Sequence, residues 1–466
     1  QGNRRRAEKL QRSHQLPMDL TDGVGRQYRR GLGGMRDRQA VHRVRNHFAR
    51  LHGAITATHI SGPGRGRTPF LSPTQANALD ASMPHLLTGG RKRLLSLVGG
   101  LLVGLIVAEA VLQLADLQPE RYRPPRWSAH DGQSFRRSDM WADGLIKQDS
   151  PFAGVEMGQY TPGARFRVEY ASNPHGHLDT DNGVEMTINA LGLRGPDVLR
   201  DKPDGTLRIL GLGDSFTFGV GVRDEDTFLR RLENRLDQKD HPLEVLNAGT
   251  QGYNTRDQQV TLEHRWLGLE PDLVLVTFYL NDVYRDESAV AFWNNGEGDG
   301  VYLQPTGLAR HSRLVDWCQY SWRARELRRR MIVHYSQAYF VDPGSFFSSG
   351  NKAAQHMDWS ASRTALERIV ELSRAHGFRV GLAIFPELMS LENYPFGAIH
   401  DFVRAACDEI GLPVHDLLPA FRNKDARQLW VHPTDHHPNQ VAHGIAAVSL
   451  ETFVRSLLPA DTSPAP

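Results

Sequence analysis

The sequence predicts an α/β fold: a three-layer α/β/α sandwich around a mostly parallel sheet, preceded by a small β-rich lead-in and an N-terminal transmembrane helix. Three observations carry this. From position 207 onward, short apolar runs alternate with amphipathic stretches, the pattern of βαβ units. Residues 151–206 instead alternate short β-like runs with turn signals. Further upstream, residues 94–108 are apolar or small throughout except Ser96.

The membrane segment follows from length and flanks. A span needs about 20 apolar residues; the run continues past Glu109 as Ala-Val-Leu-Gln-Leu-Ala to near Asp116 and reaches that length when Glu109 and Gln113 lie near the far interface. Arg91, Lys92 and Arg93 precede the run, so the positive-inside rule leaves the N-terminus in the cytoplasm and exports the body. An uncleaved signal anchor over 83–116 is the expectation. The alternative is a cleaved signal, because Ala108-Glu109-Ala110 has the small-x-small form of a cleavage site. Residues 1–93 hold 18 Lys and Arg against 5 Asp and Glu, about +13, which leaves about −11 on the rest within a formal net of +2. The basic head has few aromatics, no zinc-finger spacing and no sustained helical period, which argues against nucleic-acid binding. Met83 opens a start-like segment, so residues 1–82 read as a disordered or non-native upstream extension.

Residues 117–150, rich in Pro, Arg, Asp and Trp, read as a linker. In the 151–206 lead-in, "ARFRVEY" and "VEMTINALGLRGPDV" are the β-like runs. Residues 207–213 (LRILGLG) form the first buried strand and 226–238 an amphipathic helix. A second strand follows at 243–249 and a second helix at 255–268. The third strand covers 271–280. After an insert at 284–355 come a helix at 361–377, a strand at 378–386, a helix at 397–411, a short strand at 412–417 and a last helix at 439–458, with 459–466 as a disordered tail. In the insert, Leu314, Trp317, Trp322, Leu327 and Met331 are expected to form one apolar face of a cap helix. Lining a substrate groove or touching lipid headgroups are the alternatives. Cys318 and Cys407 are too few for a disulfide framework and read as one bridge or as two buried thiols.

Sites in such sheets form beyond the carboxyl ends of the strands, and polar residues collect there. Strand one ends at Gly213-Asp214-Ser215, strand two in "NAGTQGYNT" and strand three in "YLND", while "PTDHHPN" precedes the last helix. Acyl transfer needs a hydroxyl, an imidazole to take its proton, a carboxylate to orient the imidazole and N–H donors for the oxyanion. Ser215, His437 and Asp435 fill the first three roles. The Ser215 N–H, Gly252 and the Asn281 side chain fill the last. Asp214 is expected to tie the turn to nearby amides. Tyr253, Asn254 and Tyr284 are candidates for the pocket wall.

These four blocks resemble the SGNH, or GDSL-type, hydrolases over about residues 190–458. The "INALGLRGP" run ahead of them looks like the lead-in of membrane-anchored bacterial members. The resemblance implies a flavodoxin-like sheet, a Ser215 nucleophile, an oxyanion hole of Ser215, Gly252 and Asn281, a His437 base and no cofactor. Two departures matter. The usual Asp-x-x-His block is here Asp435-x-His437, with Thr434 at the expected Asp position, and His436 is a competing base. In the second block Gly249 competes with Gly252. A metal site at His432, Asp435, His436 and His437 is disfavoured because the spacing is tight. A phosphate loop fails because no Lys follows the glycines.

The leading expectation is a membrane-anchored, periplasmic serine ester hydrolase, secreted if the signal is cleaved. Its substrates would be acylated small molecules, lipids or envelope polysaccharide, and its partner the inner membrane. The alternatives are an O-acetyltransferase of exported polysaccharide and a carbohydrate-binding module without chemistry.

Overall fold

The computed structural model describes residues 83–119, 125–129, 134–135, 146–147, 159–236, 242–283, 303–340 and 359–458. Residues 1–82, most of the expected linker, the two ends of the insert and the C-terminal tail lie outside them.

Five strands form the central sheet: β5 (Leu207–Leu212), β6 (Leu243–Asn247), β7 (Leu273–Phe278), β8 (Arg379–Ile384) and β9 (Val414–Asp416). Their order is β9-β8-β7-β5-β6, and every pairing is parallel. Every residue of β7 is buried, as befits a central strand covered on both faces. Alternate strand residues feed two cores. Leu210, Leu212, Val274, Val276 and Leu382 enter one with the helices α6 (Trp359–His376) and α7 (Gly397–Ile410) and with Leu262 and Trp266, which follow α4 (Thr255–Thr261). Ile209, Val245, Leu273 and Leu275 enter the other with α3 (Phe228–Leu236) and α8 (Gln440–Leu457). Helices thus cover both faces. Each fully buried aliphatic or aromatic side chain contributes about 1.5–3 kcal/mol. On α3, Phe228, Leu229, Leu232 and Leu236 are buried, one stripe at helical spacing, and they meet the small residues Ala442 and Ala446 of α8.

The lead-in is a four-stranded antiparallel sheet, β2 (Ser134–Phe135), β1 (Arg126–Ala129), β3 (Arg165–Glu169) and β4 (Gly183–Thr187), in the order β2-β1-β3-β4. Residues 126–129 and 134–135 were expected in the linker. They are strands instead, because Trp127 reaches a core shared with Phe166, Val168 and Met186. That core extends to Phe218, Val220 and Val431 of the main domain, so the lead-in packs beside the end of the sheet where β5 stops.

A second difference concerns "PTDHHPN", expected as a loop. Residues 430–438 form an antiparallel pair, β10 (Trp430–His432) and β11 (Asp435–Pro438). Asn439 then caps α8, accepting from Val441 and Ala442 N–H at 2.9 and 3.1 Å.

Upstream, α1 (Met83–Leu114) is the one helix among the described residues long and apolar enough to cross a membrane, by length and composition. Leu94, Leu101 and Ile106 are exposed along it. The insert is dominated by α5 (Arg313–Phe340). Its far end docks through Met331, Ile332, Tyr335, Tyr339 and Phe340. Trp317 and Trp322 are exposed, so the expected single packed face is not formed: only the last third of the helix reaches the core. Cys318 and Cys407 are both free, and Cys318 is exposed, which corrects the expectation of a bridge or of two buried thiols.

Candidate active site

Strand β5 delivers the first group. After Leu212, Gly213 and Asp214 lead into the one-turn helix α2 (Ser215–Phe218). Asp214 Oδ1 accepts from Phe216 N–H at 2.9 Å. A carboxylate at this N-cap satisfies an amide that a helix start leaves unpaired, which explains the Asp ahead of the Ser. Asp214 is fully buried. Burial raises its carboxyl, and the Phe216 N–H, His437 and Asn281 offset part of that rise. Arg194 supports the turn from below. Its guanidinium donates to the Val222 carbonyl at 2.8 Å and lies 4.7 Å from the Phe218 ring centroid. Burial lowers its pKa to about 10 against the raising effect of Asp224.

The hairpin β10–β11 delivers the second group. Side chains two apart on a strand share a face. Asp435 and His437 therefore point the same way, and His436 points the other. His437 Nε2 lies 2.9 Å from Ser215 Oγ, and His437 Nδ1 lies 2.5 Å from Asp435 Oδ1. The His437 N–H also donates to Asp435 Oδ1 at 3.1 Å. The one-residue spacing thus brings Asp435 to His437 Nδ1 because both side chains lie on one face of β11. His436 instead stacks on Trp430, centroids 3.9 Å apart. His432 bonds Ser172 Oγ and Thr434 Oγ1 at 3.0 and 2.7 Å, so the histidines of this segment diverge.

Asp435 has a further partner that sequence reasoning missed. Tyr170, one residue beyond β3, donates its O–H to Asp435 Oδ2 at 2.8 Å. Burial works to raise the Asp435 carboxyl. The charge and hydrogen bonds of His437 and the Tyr170 O–H outweigh it and hold the group well below the usual carboxylate range. An Nδ1–H that donates to that carboxylate leaves Nε2 as an acceptor toward Ser215 Oγ. No local signal links Tyr170 to a residue 265 positions later. Only the docking of the lead-in sheet reveals it.

The candidate oxyanion groups follow the neighbouring strands. Gly252 follows β6 and Asn281 follows β7, on either side of β5. Gly252 has φ +83°, and no hydrogen bond from its N–H is found among the described residues. Gly249 is engaged otherwise. Its N–H donates to Asn247 Oδ1 at 3.0 Å, and a Cβ there would meet Phe218 N at 2.4 Å. The same Cβ would meet the Thr217 carbonyl carbon at 2.8 Å, so the loop after β6 passes close to the backbone of α2 here. Asn281 sits in a 3-10 turn fixed by buried Asp282, which accepts from Tyr279 N–H at 2.6 Å and Gln258 Nε2 at 2.8 Å. Burial and the nearby Asp214 raise the Asp282 carboxyl well above its ordinary value. Of the pocket candidates, Asn254 is committed to capping α4, reciprocally with Asp257. Tyr253 is buried, and Tyr284 lies outside the described residues. The wall beside Ser215 is formed by Phe216, whose ring lies 5.6 Å from His437 and stacks on Tyr279 at 4.0 Å.

The arrangement places a hydroxyl within hydrogen-bond reach of an imidazole whose other nitrogen is held by a carboxylate, at the carboxyl edge of a parallel sheet. Residues 212–445 match the model of the GDSL-like lipase/acylhydrolase family. Among solved structures, the chain is similar to TesA at 14% identity, covering 54% of this chain and 99% of that one with a TM-score of 0.33. It is similar to the acetyl xylan esterase AlAXEase at 16% identity, covering 53% and 100% with a TM-score of 0.33. A carbohydrate acetylesterase family member from Sinorhizobium meliloti shares 15% identity over 54% and 99%, with a TM-score of 0.29. No curated protein matches the chain.

Proposed function

This chain belongs to the GDSL-like lipase/acylhydrolase family, and from that premise we propose that it is a serine ester hydrolase held at the membrane by α1, with its hydrolase domain outside the cytoplasm. The observation that carries the reading is the contact of Ser215 Oγ with His437 Nε2 at 2.9 Å, backed by the 2.5 Å contact of Nδ1 with Asp435.

In this reading Ser215 Oγ attacks the ester carbonyl carbon while its proton passes to His437 Nε2. The carbonyl oxygen becomes an oxyanion facing the Ser215 N–H, Gly252 N–H and Asn281 amide. Collapse breaks the bond to the alkoxy oxygen, which leaves with the His437 proton. Water then gives a proton to the same nitrogen, attacks the acyl-Ser215 carbonyl and releases the acid, and Ser215 recovers its proton. Asp435 keeps the imidazole in one tautomer and offsets its transient charge. Ser215 is only 5% exposed and Phe216 walls one side, which suits a short acyl group such as acetate on an envelope sugar or a small lipid ester. The basic flank at Arg91–Arg93 supports the orientation that exports residues 117–458.

Hydrolysis of p-nitrophenyl acetate and longer p-nitrophenyl esters by the detergent-solubilised full chain tests this reading, beside Ser215→Ala, His437→Ala and His436→Ala. Loss in the first two, retention in the third and a preference for short chains are expected. A folded parent with no turnover of any ester contradicts it.

A further inference from the structure

The insert helix begins against the membrane helix, and the contact is specific. Glu109 of α1 accepts from Ser312 Oγ at 2.8 Å and from the Arg313 and Leu314 backbone N–H groups at 2.9 Å each. A carboxylate from one helix thus caps the start of another. The Arg313 guanidinium extends the contact past the end of α1, reaching Asp116 Oδ1 at 2.9 Å and Gln118 Oε1 at 3.0 Å.

Depth along α1 gives this contact its meaning. Arg93 and Glu109 are separated by about 24 Å of helix at 1.5 Å per residue, whereas the hydrocarbon core is about 30 Å thick. With Arg93 at one boundary, Glu109 lies just inside the other, and Asp116 lies among the headgroups. An unpartnered carboxylate at that depth is costly and takes polar partners. The partners here are Gln113 Nε2 one turn on, at 2.7 Å, and the Ser312 hydroxyl and first amides of α5; the latter place the start of the insert at the same depth. The surface around that start fits lipid. Leu308, in the short turn ahead of α5, is 76% exposed, and Val315 is 39% exposed. Cys318 and Trp322 continue the Val315 stripe at helical spacing and are exposed. Arg325 follows on the same stripe, also exposed. Apolar residues next to a span, then Trp, then Arg, is the order of an interfacial segment.

We propose that residues 307–322 form a second membrane-contacting element, docked on α1 through Glu109, that inserts Leu308 and Val315 into the bilayer interface and holds the hydrolase domain at a fixed attitude to it. The occupant of this face is the phospholipid bilayer. The inference rests on the anchor reading of α1 and is independent of the chemistry at Ser215.

The test places single nitroxide labels in the full chain, in a Cys318→Ser background, reconstituted in phosphatidylethanolamine–phosphatidylglycerol vesicles. Labels go to Leu308→Cys and Val315→Cys, with Val103→Cys in the span and Arg374→Cys, exposed at the end of α6, as references. Collision with oxygen and with a water-soluble nickel chelate reports depth. At 308 and 315, oxygen collision should exceed nickel collision, as at 103, with the reverse at 374. Glu109→Ala should return 308 and 315 to water-like nickel access while 103 stays in lipid. Nickel access at 308 and 315 equal to that at 374, with 103 in lipid, overturns the proposal and spares the anchor. Nickel access at 103 overturns both. Shielding of 308 and 315 from both reagents, with spin–spin broadening, assigns the face to a second copy and overturns the proposal. Lipid access persisting in Glu109→Ala overturns the docking role of Glu109.

Discussion

Replacing Gly249 by Ala tests the positioning of Ser215 without touching a reacting group. A Cβ at 249 would lie 2.4 Å from Phe218 N and 2.8 Å from the Thr217 carbonyl carbon, where ordinary contact begins at 3.4 Å. Both neighbours are backbone atoms of α2, so no side-chain rotation relieves the clash. The helix must move by about 1 Å, and a misplacement of that size costs about 100-fold in rate. The overpacking also costs about 1–3 kcal/mol of stability. Gly411, just past the end of α7, is the control. A Cβ there meets nothing within 4 Å, so Gly411→Ala carries only the strain of φ +70°, about 1–2 kcal/mol. Ester hydrolysis with thermal unfolding on the same samples reads both variants. For Gly249→Ala, kcat should fall about 100-fold, with KM little changed and a lower Tm. A Gly249→Ala enzyme with parental kcat and Tm would refute the claim that this close approach sets the Ser215 position.

Other consequences follow from the same geometry. Tyr170→Phe removes a hydrogen bond to a charged carboxylate and should cost about 1.5–3 kcal/mol in urea unfolding at pH 7. The Asp435 carboxyl is lower in the folded than the unfolded chain, so its contribution is complete above the unfolded value near ~4 and is lost only as pH falls toward the folded one. The difference between Tyr170→Phe and parent should therefore be constant from pH 5 to 8, and a difference that varies across that window contradicts the assignment. Burial pushes the Cys407 thiol up to about 12. A maleimide at pH 7 should accordingly modify Cys318 alone in the native protein and both cysteines in denaturant, as intact mass reports.

The sheet was the most legible part of the sequence. Its strands are short, nearly continuous apolar runs such as Leu273–Phe278, because both faces are buried and no alternation is needed. The helices between them announced themselves by stripes such as Phe228, Leu229, Leu232 and Leu236. What stayed hidden has two physical causes. The hairpin over 430–438 is polar, since its strands carry Asp435, His436 and His437, and polar strands read as loops. The same cause hid why a one-residue spacing brings Asp435 to His437 Nδ1. The second cause is long-range docking. Strand β1 is four residues long and shows itself only through the burial of Trp127 against Phe166. The Tyr170–Asp435 bond joins segments that no local pattern connects. The basic stretch of α5 read as one packed face because its apolar residues recur at helical spacing. Burial divides them between a docked end and an exposed one.

The proposed chemistry makes Ser215 a nucleophile activated by His437. Reaction of the full chain with a fluorophosphonate probe, followed by peptide mass spectrometry, tests it most directly. One adduct is expected, on the peptide bearing Ser215, absent in Ser215→Ala and strongly slowed in His437→Ala. An adduct on another serine, or labelling that persists unchanged in Ser215→Ala, would contradict it.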